Sequence, residues 1–194
     1  MATAFTSARR DEIEAGLLAA ARRQLCSGSM NSCTVDELAR EAGISKGAFY
    51  HFFKSKEHLF LRTLESIQDD IYGEAERVLF ADEKRPLRQR AMDAFYDVCR
   101  AADQSGLVSF LRQDLPRLLS RLPDGLLRKH YISDHERIRR LIVKSGAALK
   151  VSVDEACSVL WLMVMSLVFK PDVGEGFHNA LRILVEGVCD RVLA

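Results

Sequence analysis

Proline is scarce in this chain, four residues in 194, and tryptophan occurs once. Pro86, Pro116, Pro123 and Pro171 fall only where helical patterns begin, bend or stop, which leaves the long stretches between them open to helix. Strand-type alternation, internal repeats and low-complexity tracts are missing too, and an all-α chain is expected. There is no Gly-rich phosphate loop, no Gly-x-Ser-x-Gly and no His-Glu-x-x-His. Those absences remove the usual motifs for phosphoryl transfer, serine-nucleophile chemistry and zinc hydrolysis, so neither an enzyme nor a cofactor is expected.

Five cysteines (26, 33, 99, 157 and 189) make an odd number without a Cys-x-x-Cys pair. They read as reduced, small hydrophobic residues of a cytoplasmic protein. Cys26 and Cys33 flank one loop, and a redox role would have to rest on them. His130 and His135 are five apart, on different helix faces, a poor metal pair, so no metal site is expected. Asp134, His135 and Glu136 read as a solvated face. The longest apolar run, Ala156 to Phe169, falls short of the roughly 20 residues that span a bilayer. Met1 to Arg10 has no apolar core of a signal peptide and reads as a short mobile arm ending in Arg9 and Arg10. No membrane partner is expected.

The net charge is only +1, so charge has to be read locally. From Ser45 to Lys56 lie Lys46, Lys54, Lys56 and His51, without a carboxylate. A basic face confined to one stretch suits a protein that touches DNA at one end.

That stretch belongs to the most patterned part of the chain, Thr34 to Lys56. Thr34 and Glu37 have the spacing of a capping box, and Leu38, Ala39 and Ala42 give the following helix an apolar side. Gly43 suits the left-handed position that stops a helix, with Ile44 as a plug after it. Ser45 can cap a second helix, Lys46 to Phe52, with Phe49, Phe52 and Phe53 inward. Two helices joined around a glycine form a helix-turn-helix, a DNA-reading unit.

At these residues the sequence resembles the TetR family of bacterial transcriptional regulators. The pattern is carried by Thr34, Val35, Leu38, Ala39, Ala42, Gly43, Ile44, Ser45, Gly47, Phe49, Tyr50, Phe53, Lys56 and Leu59. One departure is the Gly28 to Cys33 loop, a residue longer than usual and without the common aromatic. The resemblance implies an N-terminal three-helix DNA-binding domain, 1–54, and a C-terminal helical ligand-sensing and dimerisation domain, 55–194, about nine helices in all. It implies a homodimeric repressor on a palindromic operator, released by a small-molecule effector. Thr34 would hold a phosphate at a helix N-terminus, and Tyr50, His51 and Lys56 would touch the DNA backbone. Ser45, Lys46, Gly47 and Ala48 would enter the major groove, Lys46 reading guanine and the Ala48 methyl meeting a thymine methyl.

The rest of the chain fits helices of matching length. A stripe of Ile13, Leu17, Ala20, Ala21 and Leu25 marks helix 1, from about Ala8 to Cys26. A long helix from Ser55 to about Leu79 would link the two domains. Residues Leu107 to Leu122 read as one helix or two, bent at Pro116. The last two helices, opened by the capping box Ser152–Glu155 and by Glu175, carry more apolar surface than one subunit hides. Leu160, Val164, Leu181, Leu184 and Val188 are therefore expected in a dimer interface. The resemblance implies an effector pocket within these helices, for which Phe80, Phe95, Cys99, Phe110, Tyr131 and Trp161 are the candidates, while Arg112, Arg117 and Arg121 read as surface residues sooner than as partners for an anion. Two other classes compete: a helical protein-interaction module, and a regulator that responds to metal or redox state.

Overall fold

The computed structural model describes residues 6–194, with the side chains of Leu127 and Tyr131 outside that description. Among the described residues there are eleven α-helices and three 3-10 turns. Two of those helices exceed the expected nine, because the 107–122 segment is split and a short helix follows Lys170. The chain divides into two compact units, residues up to Gln68 with Gln104–Pro123, and Asp69–Asp103 with Asp124–Ala194. These units do not coincide with the expected 1–54 and 55–194, since residues 104–123 fold back onto the N-terminal helices.

The first unit starts with α1 (Ser7–Ser27), capped by Thr6, whose side chain accepts from Arg9 N. Arg9 and Arg10 therefore lie inside a helix, not in an arm. Arg9 pairs with Glu12, and the Arg10 guanidinium lies 5.4 Å from the Phe52 ring centroid. Met1 to Phe5, the rest of the expected arm, lie outside the described residues. The α1 stripe is buried as its spacing demands, Leu17 and Ala21 completely. A 3-10 turn (Met30–Ser32), α2 (Val35–Glu41) and α3 (Lys46–Phe49) follow, then the first turns of α4 (Lys56–Phe80). Helices α6 (Leu107–Gln113) and α7 (Leu115–Arg121) complete this unit, breaking at Asp114 with Pro116 in the first turn of α7. Phe110 of α6 stacks on Phe60 of α4 at 6.5 Å, both buried. Gly106 has φ +76°, and a Cβ there would lie 2.5 Å from Leu25 O at the end of α1. Only glycine allows that approach.

The second unit holds the rest of α4, α5 (Leu87–Gln104) and α8 (Asp124–Lys144). It continues with α9 (Val153–Met165), α10 (Lys170–Val173) and α11 (Phe177–Val192), joined by 3-10 turns. The Ser152–Glu155 capping box forms as expected. Arg90 is buried, its guanidinium donating to Leu79 O in the last turn of α4, a carbonyl without a helical partner, and to Arg85 O in the connection to α5. A single antiparallel bridge, Leu149 with Leu193, ties the loop after α8 to the C-terminus. The helical stretch Val153–Val192 includes an 18-residue window of mean hydropathy 1.5. Its α-helical pieces run 13, 4 and 16 residues, shorter than the roughly 20 of a membrane span.

Candidate functional site

The helix-turn-helix is built by local bonds. Thr34 Oγ1 accepts from Glu37 N at 3.2 Å while the Glu37 carboxylate accepts from Thr34 N at 2.7 Å, a closed capping box. The carboxylate accepts from Thr34 N and also from Thr34 Oγ1 at 2.9 Å, and these two bonds, the backbone one first, hold the Glu37 carboxyl below the usual carboxylate range. At the far end Ile44 N donates to Ala39 O and Gly43 N to Arg40 O, with Gly43 at φ +71°. That double closure is a Schellman motif, and it fixes the turn. Ser45 then caps α3 through Ala48 N. Phe49 and Phe53 sit in the core, whereas Phe52 is half-buried under Arg10. The α-helix ends at Phe49, three residues earlier than expected, and residues 50–52 continue as a turn.

With the phenylalanines inward, Ser45, Lys46, Gly47, Tyr50 and His51 are exposed on one short segment, and Ala48 is half-buried. Tyr50 stands edge-on against Phe49 at 5.4 Å, so its ring is braced while half its surface stays in solvent. A Cβ on Gly47 would meet nothing nearer than Ser45 Oγ at 3.9 Å. Folding alone does not require glycine there.

Three of the expected DNA contacts have partners within the chain, and sequence reasoning found that of Thr34 but missed those of Lys46 and Lys56. Thr34 N and Oγ1 both bond Glu37, so the amide expected to hold a phosphate is occupied. Lys46 Nζ pairs with Asp36 at 3.1 Å, both half exposed, an ion pair worth little in water. Lys56 Nζ donates to Met30 O at 2.9 Å and Cys33 O at 2.8 Å. Those carbonyls belong to the Gly28–Cys33 loop, so the half-buried Lys56 braces the approach to α2. Arg121 also turns inward on its own unit, donating to Glu57 at 2.8 Å.

The second unit contains a cavity of about 170 Å³. Its walls come from α4 (Tyr72, Ala75, Leu79), α5 (Phe95), α8 (Ile138, Leu141), α9 (Leu160, Met163) and α11 (Val185, Val188). Among the described residues no charged side chain lines it, and Tyr72, Ser145 and Cys189 are its lining residues with a polar atom. Of the five expected effector residues whose side chains are described, only Phe95 faces it. Phe110 is buried in the first unit against Phe60. Cys99 is buried, its thiol pushed up to about 12 by burial, but does not reach the wall. Phe80 lies under Lys144 Nζ, 4.9 Å from its centroid, and Trp161 is half-buried outside the lining. The Tyr131 side chain lies outside the described residues. The expectation was a largely apolar pocket with a few polar handles; the wall is apolar but mostly aliphatic, drawn from helix faces that sequence spacing could not pair.

Behind Tyr72 lies Asp134, which is buried, not solvated as expected. Burial pushes its carboxyl up, against a bond from Tyr72 and the nearby charges of His130, Arg137 and His135. Among the described residues its Oδ1 has no hydrogen-bond partner.

The expected interface residues divide in the same way. Leu160, Val164 and Val188 line the cavity, and Leu181 is buried within the subunit. Only Leu184 is exposed, together with Leu162, Phe169, Val173 and Ile183. On α9 the exposed side is the opposite one, two residues on from Leu160, because a helix that is apolar nearly all round does not mark which side is inward. Among the described residues no group of three or more His, Cys, Asp or Glu could hold a metal. Cys33 is buried with its thiol pushed up by that burial, while Cys26 is exposed and donates to Ser105 O.

Comparison with known proteins points the same way as the geometry. Residues 17–63 match the family described as bacterial regulatory proteins, tetR family. The chain is 34% identical over 90 residues to the HTH-type transcriptional regulator EthR of Mycolicibacterium smegmatis, 45% of this chain and 41% of that protein. It is 29% identical over 117 residues to the HTH-type transcriptional repressor KstR2 of the same organism, 60% of this chain and 54% of that one. The chain thus matches about half the length of these relatives. A TetR-family regulator from Mesorhizobium loti shares the fold over 96% of this chain and 99% of its own, with a TM-score of 0.70 at 17% identity.

Proposed function

We propose, on the premise that this chain is a helix-turn-helix transcriptional regulator of the TetR family, that it represses as a homodimer on a palindromic operator and is released by an uncharged, largely apolar small molecule. The observation that carries the DNA half is the exposed segment Ser45 to His51, set on a buried Phe49–Phe53 base and free of carboxylates through Lys56. Ser45, Lys46, Gly47 and Ala48 enter the major groove, while Thr34, Tyr50, His51 and Lys56 face the backbone. For Lys46 to read guanine it must leave Asp36, an exposed pair that costs little to break. In a two-fold dimer the two segments have to lie roughly 34–36 Å apart to meet successive grooves.

The ligand class follows from the cavity wall. An ionised group there would be desolvated without a partner, at a cost of several kcal/mol. The volume is close to that of apolar cavities of about 150 Å³ that admit benzene, so a monocyclic or short-chain compound fits without rearrangement. Helix α4 is one continuous helix of 25 residues that supplies Lys56 at its start and cavity wall near its end. Filling the cavity would shift that helix and lower DNA affinity, with a coupling of about 1–3 kcal/mol. The exposed Leu162, Phe169, Ile183 and Leu184 supply an apolar seam for a second copy.

A gel-shift assay with the DNA upstream of the gene tests the reading. Binding there, released by an uncharged compound and not by its carboxylate analogue, is the expected result. Equal affinity of such a compound with and without DNA would overturn release by that route. Failure to bind any duplex would overturn the DNA-binding half.

A further inference from the structure

The Gly28–Cys33 loop leads straight into α2, and it is held from two sides. On one side is Asp114, at the break between α6 and α7 and fully buried. It occupies the N-cap position of α7, where an aspartate ordinarily bonds the amides of its own helix, yet it makes no such cap. Its carboxylate is committed to the loop instead. Oδ1 accepts from Ser29 Oγ at 2.6 Å and Asn31 Nδ2 at 3.1 Å, and Oδ2 accepts from Met30 N at 2.8 Å. On the other side Lys56 Nζ takes the carbonyls of Met30 and Cys33. Met30 is thus bonded through its N–H to an anion and through its C=O to a cation, with its side chain completely buried. A buried carboxylate without these donors would lose the hydrogen bonds that replace its water. The loop therefore has one position compatible with both charges.

We infer that Asp114, more than eighty residues downstream, is a positioning residue for DNA binding, holding the 28–33 loop in the register that sets the Thr34 end of α2 and the Lys56 ammonium. This rests on the DNA-binding reading. Asp114 is buried and does not itself touch DNA. Removing a negative charge by simple electrostatics would strengthen DNA binding, whereas loss of positioning weakens it. The two effects have opposite signs, which makes the inference testable.

The experiment uses the full chain and a random-sequence 30-base-pair duplex over a salt series. Asp114→Asn is nearly isosteric but presents a donor where Ser29 and Asn31 also donate. It is expected to bind about tenfold more weakly, on the scale of one charge-assisted hydrogen bond. The slope of log affinity against log salt should flatten by roughly 0.9 for each phosphate that is no longer neutralised. Combined with Lys56→Met, the losses should be less than additive, because Asp114 acts through the loop that Lys56 braces. Should Asp114→Asn not fold, Asn31→Ala, which removes one donor at an exposed residue, should shift affinity and slope the same way by a smaller amount. Folded Asp114→Asn with unchanged or tighter binding, or strict additivity with Lys56→Met, would overturn the inference. Wild-type protein that binds no duplex would overturn the DNA-binding reading, and the inference with it.

Discussion

The two compact units of this chain are held together by different means. The first is pinned by polar and aromatic contacts at fixed points: Asp114 to residues 29–31, Lys56 to Met30 and Cys33, Arg121 to Glu57, Phe110 on Phe60. Hydrogen bonds of this kind are directional, so they set register as well as contribute energy. The second unit has a mostly aliphatic cavity wall, buries Arg90 and the Asp134 carboxyl that Tyr72 bonds, and carries ion pairs such as Arg88–Asp190 and Lys144–Glu76 on its surface. Aliphatic contacts are non-directional and tolerate repacking. On the proposed function, the first kind of interior suits a unit that presents side chains to a duplex, and the second suits a unit that admits a molecule.

The largest effect that would break this contrast is expected at Gly106. Gly106→Ala combines a left-handed backbone with a Cβ 2.5 Å from Leu25 O, and should destabilise the first unit by several kcal/mol in urea unfolding. A change within about 0.5 kcal/mol would mean that the close approach is not maintained. Phe60→Ala should cost about 3–5 kcal/mol, since Phe60 is fully buried against Phe110. In the second unit, Ala94→Leu should fill part of the cavity with little loss of stability while abolishing the thermal shift produced by an uncharged ligand. Undiminished ligand response would place the effector elsewhere. Gly47→Val should leave the melting temperature within about a degree or two and still weaken duplex binding, because open space surrounds that position in the free protein.

The smallest effects concern pH, and the two units should respond in opposite directions. Burial, then the charges of Arg62 and Lys54 against Glu65, lowers the folded-state pKa of His58. The unfolded chain then binds the extra proton more readily, so stability of the first unit should fall as pH drops below about 6.5, and His58→Gln should flatten that fall. Asp134 has its pKa raised by burial, so the folded state holds the proton more tightly. Its contribution is present at low pH and lost as pH rises from about 3.9 through its folded value. Asp134→Asn should therefore raise stability modestly at pH 7. Amide hydrogen exchange, read separately over the two units, checks both signs.

What the sequence determined by itself were features that close within a few residues. The Thr34–Glu37 and Ser152–Glu155 boxes, the Gly43 stop, the Ser45 cap and the stripe of α1 all depend on spacings of three or four, and each lies where its spacing put it. Only the tertiary structure decided which far segments meet. Nothing near Asp114 in the chain indicates that its carboxylate serves Ser29, Met30 and Asn31 rather than its own helix. The cavity wall was misjudged for the same reason, with Phe110 going to the first unit and Leu160, Val164 and Val188 facing inward. Helical periodicity shows that a face is apolar, but on α9, apolar nearly all round, it carries no information about which neighbour covers which side. That choice is made by packing, where long-range partners compete for the same surface and only the folded chain settles the contest.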